Sequence, residues 1–579
     1  MKTLDKNKYT REHIFEILGL GKTLFNSSIC RIDVARMRES LEVWSTERLT
    51  RKKASGAWPQ EALSMASRQI KTENCAIAQN RDVKTPFEFE ERLNRAGPFY
   101  ELIKKQALGH FLTSENANIL TFTHHRSHAF AAMAMSPFDK SIIVVTDGAG
   151  SFSGDFQKNH PEAFLLPEKP GHESLSVYLQ DGKKLTAVYK EWQYFKQSQK
   201  HREHWFSQGL GTFYEKAAEY IFNSKRAAGK VMGLAALGVS NPITDREQYL
   251  ENLDWELAFK GRTKKEWEES GRFEHFANIA ASVQKNFEET VLANMVDLKK
   301  KHPDYKNLIL AGGSSLNCTT NMLLVESKLF DNLYVSPFPG DESIGFGCAM
   351  GLYYEIGDFP WKPWTFETQH GYFGPKSSSP TEEKVKEVFT GYELIKPDSI
   401  TKFTAELLMK DHVIAWFQGR SESGPRALGH RSILARVDRK GLKDHLNARV
   451  KFRESFRPYG CSVPHDEASK FFTIPEGFDN PYMSFATKVK TEWKGRLYEV
   501  THVDGTSRMQ TVRPGQCPIY YELLKEFGKR SGLPILLNTS LNVMGEPIVE
   551  TVEDARNFLE NTEVYGIAIG DYFIKKKEL

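Results

Sequence analysis

The segment Thr123–Ala129, THHRSHA, places three histidines within five positions. If the segment is helical, His124 and His128 are four residues apart and share one face, whereas His125 points elsewhere. A histidine pair at this spacing can present two imidazole nitrogens to one metal ion. The spacing alone leaves two interpretations open, a metal site or histidines that belong to the core or the surface.

Two aspartates beside glycines could complete such a site. Asp147 follows the apolar run SIIVVT, and Asp341 lies in SPFPGDESIGFG. An aspartate at the carboxyl end of a parallel strand typically faces a ligand crevice, although each could equally cap a turn. Two imidazoles and two carboxylates form a ligand set that suits Fe(II), Mn or Zn better than a soft, thiophilic metal.

Three glycine turns lie within the first 350 residues, in DGAGSFSG, AGGSSLN and GDESIGFG. Such turns leave backbone N–H groups free to approach phosphate oxygens. Each turn is a weak signal, but the three together predict a nucleotide-phosphate clamp of the actin-like ATPase kind. The predicted nucleotide-binding residues in these turns are Gly148, Gly150, Gly312, Gly313, Asn317 and Gly340.

The elements that position these residues alternate between apolar strand, glycine turn and amphipathic helix, which favours an α/β fold. Between Gly357 and Pro375, proline, glycine and aromatic residues replace this pattern, so we predict a domain boundary that divides the chain into residues 1–365 and 366–579. The second unit has its own predicted strands, in HVIAWFQG and PILLNTSLN, and the sequence contains no internal repeat.

The bulk properties narrow the class of protein. The 579 residues carry 78 Lys and Arg against 74 Asp and Glu, a net charge of +4, which argues against a protein dedicated to coating a polyanion. Six scattered cysteines without a C-x-x-C pair predict neither a thiolate zinc site nor a disulfide framework. No signal-peptide stretch or run of 18 apolar residues is present, so we predict a cytoplasmic protein without a membrane segment.

The stretch Lys190–Phe206, KEWQYFKQSQKHREHWF, is both basic and aromatic. That composition can grip nucleic acid by stacking and charge. It is equally typical of a solvated insertion on the first domain, which is the interpretation we favour.

Ten segments, taken together, resemble the antibiotic and nodulation O-carbamoyltransferases, the group that contains the cephalosporin, tobramycin and nodulation-factor enzymes. The resemblance runs in family order over nearly the whole chain. The segments are TERLTRKK (46–53), THHRSHA (123–129), VTDGAG (145–150), GKVMGLAALG (229–238), AGGSSLN (311–317), GDESIGFG (340–347), GRSESGPRALGHRSILA (419–435), KFRESFRPYGCSV (451–463), HVDGTSRMQTV (502–512) and LLNTSLNVMGEPIVET (536–551).

The resemblance implies two domains and two steps. The N-terminal domain would have an actin-like ATPase fold, similar to the metal-containing transferase that makes threonylcarbamoyladenosine in tRNA. The C-terminal domain would be YrdC-like and convert carbamoyl phosphate and ATP, with Mg, to carbamoyl adenylate and pyrophosphate. The N-terminal domain would then pass the carbamoyl group to a substrate hydroxyl and release AMP.

The resemblance also implies residue roles. The metal ligands would be His124, His128, Asp147 and Asp341, with iron as the family's metal, and Lys230 would join the nucleotide-binding residues. A pocket for carbamoyl phosphate needs fixed cations and a few amide or hydroxyl partners, because the ligand is a small planar amide on a dianion. The residues expected there are Lys451, Arg457 and Arg508 as catalytic groups, and Arg426, Asn538 and Ser540 as substrate-binding groups.

The sequence departs from the family pattern near its start, where Phe25 and Asn26 stand in place of a His-Asp pair. In the family that pair lies close to the acceptor hydroxyl. Either another residue, with His125 as the candidate, removes the hydroxyl proton, or the acceptor pocket has been rebuilt. The acceptor would be a small hydroxylated molecule or a hydroxymethylated base in DNA.

Two further functions stay open at this point. One is a tRNA-modifying enzyme of the threonylcarbamoyladenosine type, which would use threonine and bicarbonate in place of carbamoyl phosphate. The other is an inactive nucleotide-binding regulator, which the lost His-Asp pair suggests.

Overall fold

The computed structural model describes residues 16–23, 26–34, 40–53, 62, 65, 75–80, 119–156, 160–355 and 371–576. These residues form a mixed α/β structure with three large sheets. Within the described residues, no helix combines the length and the apolar character that a membrane crossing requires. The predicted boundary at Gly357–Pro375 lies largely outside the described residues.

The first sheet has the strand order β3-β2-β1-β4-β5. Strands β1, β2 and β3 are antiparallel, and β4 and β5 run parallel to β1. The strands are β1 (Glu16–Lys22), β2 (Ser27–Asp33), β3 (Glu42–Ser45), β4 (Cys75–Asn80) and β5 (Ile119–Phe122).

The second sheet repeats this topology, with the order β8-β7-β6-β11-β12 and the same strand directions. The sequence did not reveal this duplication, because the repeat lies in strand order and not in residue identity. The strands are β6 (Lys140–Thr146), β7 (His172–Asp181), β8 (Lys184–Gln193), β11 (Asn307–Ala311) and β12 (Asn332–Val335), and a small hairpin pairs β9 (Lys196–Gln197) with β10 (Trp205–Phe206).

The third sheet is built entirely from residues after 390, in the order β13-β23-β22-β14-β15-β21-β16-β20. A separate three-stranded sheet lies beside it. The strands are β13 (Leu394–Ile395), β14 (Ile414–Phe417), β15 (Arg431–Arg436), β16 (Gly460–Pro464), β17 (Phe472–Thr473), β18 (Thr487–Val489), β19 (Thr506–Ser507), β20 (Met509–Val512), β21 (Leu536–Ser540), β22 (Gly566–Ile569) and β23 (Tyr572–Lys575).

Helices cover the faces of these sheets. They are α1 (Thr46–Thr50), α2 (His124–Met135), α3 (Leu210–Phe222), α4 (Ala228–Ala235), α5 (Arg246–Asn252), α6 (Lys264–Glu268), α7 (Phe273–Lys301), α8 (Cys318–Ser327), α9 (Ile344–Glu355), α10 (Glu382–Val388), α11 (Ile400–Met409), α12 (Leu442–His445), α13 (Ala468–Phe471), α14 (Pro518–Ser531) and α15 (Val552–Asn561).

Helices α2 and α9 pack against each other between the first two sheets. Small residues make this close packing possible. A side chain at Gly347 of α9 would collide with the Ser127 carbonyl of α2, and one at Gly19 of β1 would collide with the backbone of α9. Both helices are buried along almost their whole length, so the residues at their N-terminal ends occupy fixed positions.

Several contacts join the N-terminal and C-terminal parts of the chain, and two of them lie near the predicted sites. Phe456 packs against both Phe222 and Trp267 of the N-terminal part, with ring centroids 6.2 and 5.4 Å away. On another face, Arg48 of α1 donates to the Gly424 carbonyl at 2.7 Å and lies 3.4 Å from Glu550. The two parts therefore share buried surface close to the predicted sites.

Candidate metal centre and cationic pocket

The histidine segment begins a helix, as its spacing predicts. Thr123 caps α2 by accepting a hydrogen bond from the Arg126 amide, so His124 and His128 lie on successive turns of one face. Asp147 follows β6, whose apolar residues are buried in the second sheet. Asp341 begins a short 3-10 turn that leads into α9.

The structure brings these four residues together. The Nε2 atoms of His124 and His128 are 3.2 Å apart, and Asp147 Oδ2 lies 3.3 and 3.0 Å from them. Asp341 Oδ1 lies 3.4 Å from each Nε2. Two nitrogens and two carboxylate oxygens thus face one centre, and both imidazoles are almost completely buried.

These separations fit a divalent metal ion. Ligands about 2.0–2.2 Å from a common centre lie about 3.3–3.6 Å apart in a tetrahedron and about 2.8–3.1 Å apart at right angles in an octahedron. The separations that involve an imidazole nitrogen are 3.0–3.4 Å, which spans the interval between the right-angle and the tetrahedral values. The donor set of two imidazoles and two carboxylates suits borderline ions such as Fe(II), Mn or Zn.

Outer contacts orient three of the four candidate ligands. His128 Nδ1 lies 3.2 Å from the Ser343 hydroxyl, and the Thr23 hydroxyl donates to Asp341 Oδ2 at 2.6 Å. The Gly148 amide donates to Asp147 Oδ1 at 2.7 Å. Such contacts leave the other ligand atom of each side chain directed at the metal position.

The electrostatics of the cluster show that the two imidazoles and two carboxylates neutralise one another. Burial alone would lower the pKa of His124, but hydrogen bonds to Asp147 and Asp341 outweigh it and raise that pKa to about 10. Burial likewise opposes ionisation of Asp147, yet the two histidines hold its pKa well below its usual range. A metal cation would therefore enter in exchange for protons.

A buried network of ion pairs also holds α2 in place. Lys190 of β8 forms ion pairs with Glu173 and, at 2.8 Å, with Glu162. Arg126 of α2 contacts Glu162 at 3.1 Å. Glu173 Oε2 also accepts the Ser151 amide at 2.9 Å, so the network joins α2, β7 and β8 to the turn after Asp147.

His125 lies in this network and not among the four candidate ligands. Its Nδ1 is 2.8 Å from the Ser176 hydroxyl, its Nε2 is buried without a hydrogen-bond partner, and the side chain has no solvent exposure. Burial, with the nearby charge of Lys190, lowers its pKa well below the ordinary value. Its catalytic role stays a prediction, and its burial speaks against contact with an acceptor.

The glycine turns surround the metal centre. A side chain at Gly150 would collide with Glu173 and His125, and one at Gly148 would collide with the half-buried carboxylate of Glu215. Gly312 has φ +84° and lies against the Thr146 backbone, a conformation that favours glycine. These positions therefore have structural reasons for glycine, and their role in binding nucleotide stays a prediction.

The remaining predicted nucleotide-binding residues have other contacts. Asn317 caps α8 through the Thr320 amide and pairs its side-chain amide with Gln284. Gly340 lies against the Glu342 carboxylate beside Asp341. Lys230 lies on α4 and forms an ion pair with Glu454 at 2.5 Å, so it belongs to the contact with the C-terminal part of the chain.

In the C-terminal part, Lys451 is buried and surrounded by oxygen atoms. Its ammonium donates to the Ser540 and Asn542 carbonyls, both at 2.6 Å, and to Asn542 Oδ1 at 2.7 Å. The Ser540 hydroxyl is 3.3 Å away. The structure thus brings together Lys451 and Ser540, which are predicted for the same pocket.

The three predicted arginines lie near one another but have few counter-ions. Arg426 and Arg508 form no ion pair with the described residues, and Arg508 Nε is buried without a hydrogen-bond partner. Burial, with the charge of Arg508, lowers the pKa of Arg426 to about 9. Arg457 has only a distant contact, 3.9 Å, with Glu454. Guanidinium groups with so few counter-ions are suited to bind an anion, and their role as a phosphate site stays a prediction.

Asn538 lies at the end of this group on β21. Its amide nitrogen is 2.9 Å from the Ser462 hydroxyl and 3.1 Å from Gln510 Oε1, while its Oδ1 is buried without a partner. An unpartnered buried oxygen is a candidate acceptor for a ligand N–H group. Its assignment as a substrate-binding residue stays a prediction.

Thr23 and Lys53 are among the residues near these sites that were not predicted. Thr23 is the partner of Asp341, and it lies two residues before the Phe25–Asn26 departure; Phe25 itself lies outside the described residues. Lys53 follows α1 and interacts electrostatically with Lys230, Arg426 and Arg457. Lys53 lies in the family-like segment TERLTRKK, which was the available signal. Nothing in the sequence connects Lys53 with Arg426 and Arg457, which follow it by almost 400 positions or more.

The stretch Lys190–Phe206 begins as the buried end of β8 and continues through the β9–β10 hairpin, so the solvated-insertion interpretation is wrong for Lys190. Lys196 pairs with Glu247 at 3.0 Å, and the His204 ring packs on Trp255 with centroids 3.7 Å apart. Much of the charge and aromatic surface in this stretch is therefore engaged within the protein.

Comparison with known proteins places the chain in a family. Residues 98–350 match the family described as "Carbamoyltransferase N-terminus", and residues 405–576 match "Carbamoyltransferase C-terminus". The chain belongs to the carbamoyltransferase family, which confirms the resemblance drawn from the ten segments.

Three relatives are similar along much of their length. Nodulation protein NolNO of Sinorhizobium fredii is 34% identical over 79% of this chain, an alignment that spans 64% of NolNO and so just under two thirds of it. Nodulation protein NolO of Bradyrhizobium diazoefficiens is 32% identical over 78% of this chain and 79% of its own. The 3'-hydroxymethylcephem-O-carbamoyltransferase of Streptomyces clavuligerus is 27% identical over 80% of this chain and 81% of its own.

Among solved structures, full-length HypF in its phosphate- and nucleotide-bound form overlays with a TM-score of 0.30 and 14% sequence identity. The overlay covers 60% of this chain and 47% of HypF. An overlay this loose does not define the fold.

Proposed function

We propose that the protein is an ATP-dependent O-carbamoyltransferase that activates carbamoyl phosphate as carbamoyl adenylate and transfers the carbamoyl group to a hydroxyl. The observation that carries the proposal is the convergence of His124, His128, Asp147 and Asp341 on one centre in a chain of this family. The under-compensated cations Arg426, Arg457 and Arg508 support a separate phosphate pocket in the C-terminal part.

The first step takes place in the cationic pocket. Water first cleaves carbamoyl phosphate to carbamate and phosphate. A carbamate oxygen then attacks the α-phosphorus of ATP and expels pyrophosphate, which leaves carbamoyl adenylate. The arginine forks bind the phosphate oxygens, and the nearby Lys451 ammonium, held by Ser540 and Asn542, adds positive charge that stabilises the leaving groups. The Asn538 oxygen, buried without a partner, receives the carbamoyl N–H group.

The second step takes place at the centre between α2 and α9. The acceptor oxygen attacks the carbamoyl carbon, the bond to AMP breaks, and the hydroxyl proton passes to a base. His124, His128, Asp147 and Asp341 would hold a divalent ion, with Fe(II) proposed and Mn or Zn as alternatives, and such an ion would supply Lewis-acid polarisation of oxygen. Glu215 and Thr23 line the same centre and help to position the acceptor and Asp341.

The architecture proposed for this chemistry has two domains, residues 1–365 and 366–579. The repeated topology of the first two sheets supports an actin-like ATPase fold for the first domain, with ATP or its adenylate bound near Gly312 and Gly313. The mixed eight-stranded third sheet supports a separate, YrdC-like adenylate-forming domain. A cytoplasmic location is part of the same proposal.

The acceptor proposed is a small hydroxylated molecule. The basic stretch that favoured DNA directs Lys190 into the protein interior and pairs Lys196 with Glu247, which weakens the case for a nucleic-acid surface there. Hydroxymethylated DNA is the alternative that the experiment includes.

The test is release of pyrophosphate from ATP and carbamoyl phosphate without any acceptor. The wild-type chain is expected to release it, and Arg508→Ala to lose that activity by about 100-fold, as expected when a charge-assisted contact to the reacting group is removed. Arg513→Ala is the matched control, since Arg513 lies at the other end of β20 from Arg508 and pairs with Asp479 at 2.9 Å. Unchanged pyrophosphate release in Arg508→Ala would contradict the assigned pocket.

The division between two centres needs a second measurement. His128→Ala should retain pyrophosphate release and lose carbamoylation. Carbamoylation is measured by mass spectrometry of small alcohols and hydroxymethylated DNA, tested side by side. Equal loss of both activities would contradict separate centres. Pyrophosphate release with threonine and bicarbonate instead of carbamoyl phosphate would indicate the tRNA-type chemistry, and release with neither donor would indicate an inactive regulator.

A further inference from the structure

The segment that follows β3 crosses from the N-terminal to the C-terminal part of the chain. Arg48 contacts Gly424 and Glu550, and Arg51 donates to the Ile548 carbonyl at 2.8 Å and the Pro547 carbonyl at 3.0 Å. These contacts hold the turn Arg51–Lys53 against the loop that follows β21. Lys53 therefore belongs to the N-terminal part of the chain but lies against the C-terminal part.

Lys53 is placed at the edge of the cationic pocket. Its carbonyl accepts a hydrogen bond from Arg226, which precedes α4, and Lys230 on α4 is paired with Glu454. Glu454 also faces Arg457 at 3.9 Å. The Lys53 side chain is exposed and forms no ion pair with the described residues, so its ammonium is available to a ligand.

The charges in this region are unbalanced. Although the Lys53 residue as a whole is exposed, the protein crowded around its ammonium lowers the pKa of Lys53, and the charges of Arg457, Lys230 and Arg426 lower it further against the opposing effect of Glu47. Burial lowers the pKa of Lys451 well below its ordinary value, and the charges of Arg453 and Lys53 lower it further. Among these cations, Lys230 and Arg457 pair with Glu454, and the buried Nε of Arg508 has no partner among the described residues.

We infer that Lys53, supplied by the N-terminal part, is a phosphate-binding residue of the C-terminal cationic pocket, which is therefore complete only where the two parts meet. The inference rests on the proposed function and names a further binding residue for it. A lysine ammonium is a compact charge that binds phosphate oxygens without the fixed geometry of a guanidinium, which suits the rim of a pocket that must admit and release its ligand. Its phosphate oxygens can belong to carbamoyl phosphate or to the triphosphate of ATP.

The experiment compares full-length wild type with Lys53→Met, Lys53→Arg and the control Lys52→Met. Lys52 is the neighbouring exposed lysine, and it is not among the charges that affect the pocket. Pyrophosphate release is measured with ATP varied at saturating carbamoyl phosphate, and then with the two exchanged. Binding of inorganic pyrophosphate and of carbamoyl phosphate alone is measured by calorimetry.

We expect Lys53→Met to lower kcat/KM for one phosphate substrate, and affinity for the corresponding ligand, by about tenfold or more. Lys53→Arg should recover at least part of the loss, because it restores the charge, and Lys52→Met should stay within about twofold of wild type. The substrate whose KM rises identifies which phosphate Lys53 holds.

Lys53→Met that matches Lys52→Met in both rate and binding would overturn the inference while leaving the proposed function intact. A wild-type chain that releases no pyrophosphate would instead contradict the proposed function, and the calorimetric comparison would then decide the role of Lys53 alone. Absence of pyrophosphate and carbamoyl phosphate binding by the wild-type chain would overturn both.

Discussion

The second nitrogens of the two candidate imidazole ligands have different surroundings. His128 Nδ1 lies beside Ser343, whereas His124 Nδ1 is buried without a hydrogen-bond partner. Buried polar atoms of this kind are uncommon, because each costs about 1–3 kcal/mol when unpaired. Coordination of the His124 Nε2 atom by a metal ion would fix the ring, but it would leave Nδ1 without a partner, unlike the Ser343-supported ring of His128.

At this scale we predict that His124→Ala and His128→Ala each lose metal, whereas His125→Gln retains it. The first two remove a nitrogen from the four-atom centre, and the third changes a side chain bound to Ser176. Loss of a ligand should lower metal content at least tenfold. The measurement is metal per chain by mass spectrometry after purification, and equal metal loss in all three variants would contradict the assigned ligand set.

Sequence spacing was sufficient to select these two histidines, because a four-residue separation places them on one helical face. It could not assign the third: that His125 faces Ser176 depends on β7, which lies about fifty residues further along the chain. Lys230 illustrates the same limit. Its segment was predicted to bind nucleotide, but its observed partner, Glu454, is 224 residues away and belongs to another part of the chain.

At the scale of elements, the network of Lys190, Glu173, Glu162 and Arg126 connects α2 to β7 and β8. The side chains of Lys190, Glu162 and Glu173 are at most 1% exposed. A single ammonium therefore neutralises parts of two buried carboxylates. Residue composition around Lys190 indicated a solvated surface, and only the strand register reveals that this lysine points inward.

Lys190→Met should destabilise the protein by about 3–5 kcal/mol, because it leaves buried carboxylates without their cation. Urea denaturation of the variant measures this loss. Lys196→Met is the matched control: Lys196 is 69% exposed in its pair with Glu247, and such pairs contribute about 0–1 kcal/mol. Equal stability of the two variants would show that the network contributes little.

The same network predicts a pH dependence. Burial would raise the pKa of Glu162, but Lys190 and Arg126 outweigh it and lower that pKa below its ordinary 4.5. The stabilisation is therefore present above pH 4.5 and is lost as the pH falls through the lower folded-state value. Between about pH 5 and pH 3, Glu162→Gln should show a shallower fall of the free energy of unfolding than wild type. An unchanged slope would exclude Glu162 as a contributor.

At the scale of the whole molecule, Phe456 joins the two parts of the chain. It lies within a hydrophobic cluster otherwise formed by residues 206–287, while its neighbour Arg457 belongs to the cationic pocket. Because Phe456 and Arg457 are adjacent in the chain, the packing of the C-terminal part on the N-terminal part also positions Arg457 in the pocket.

Phe456→Ala should cost about 3–5 kcal/mol and separate the unfolding of the two parts, because the cavity cannot be filled by its aromatic neighbours. Phe164→Ala is the control, since Phe164 is 71% exposed. Calorimetry should give two resolved transitions for Phe456→Ala and the wild-type profile for Phe164→Ala. A single undisplaced transition in Phe456→Ala would contradict this role for the ring.

The pairing of Arg48 with Glu550, 502 positions later, has a consequence for biosynthesis. At about 5–20 residues per second, a ribosome delivers the glutamate about 25–100 s after the arginine. During that interval α1 lacks the acceptors that Arg48 has in the finished protein. The Arg48 guanidinium, which the finished protein buries, therefore stays unpaired with Glu550 until the C-terminal part has been synthesised. Closure of the two ends is accordingly a late event in maturation.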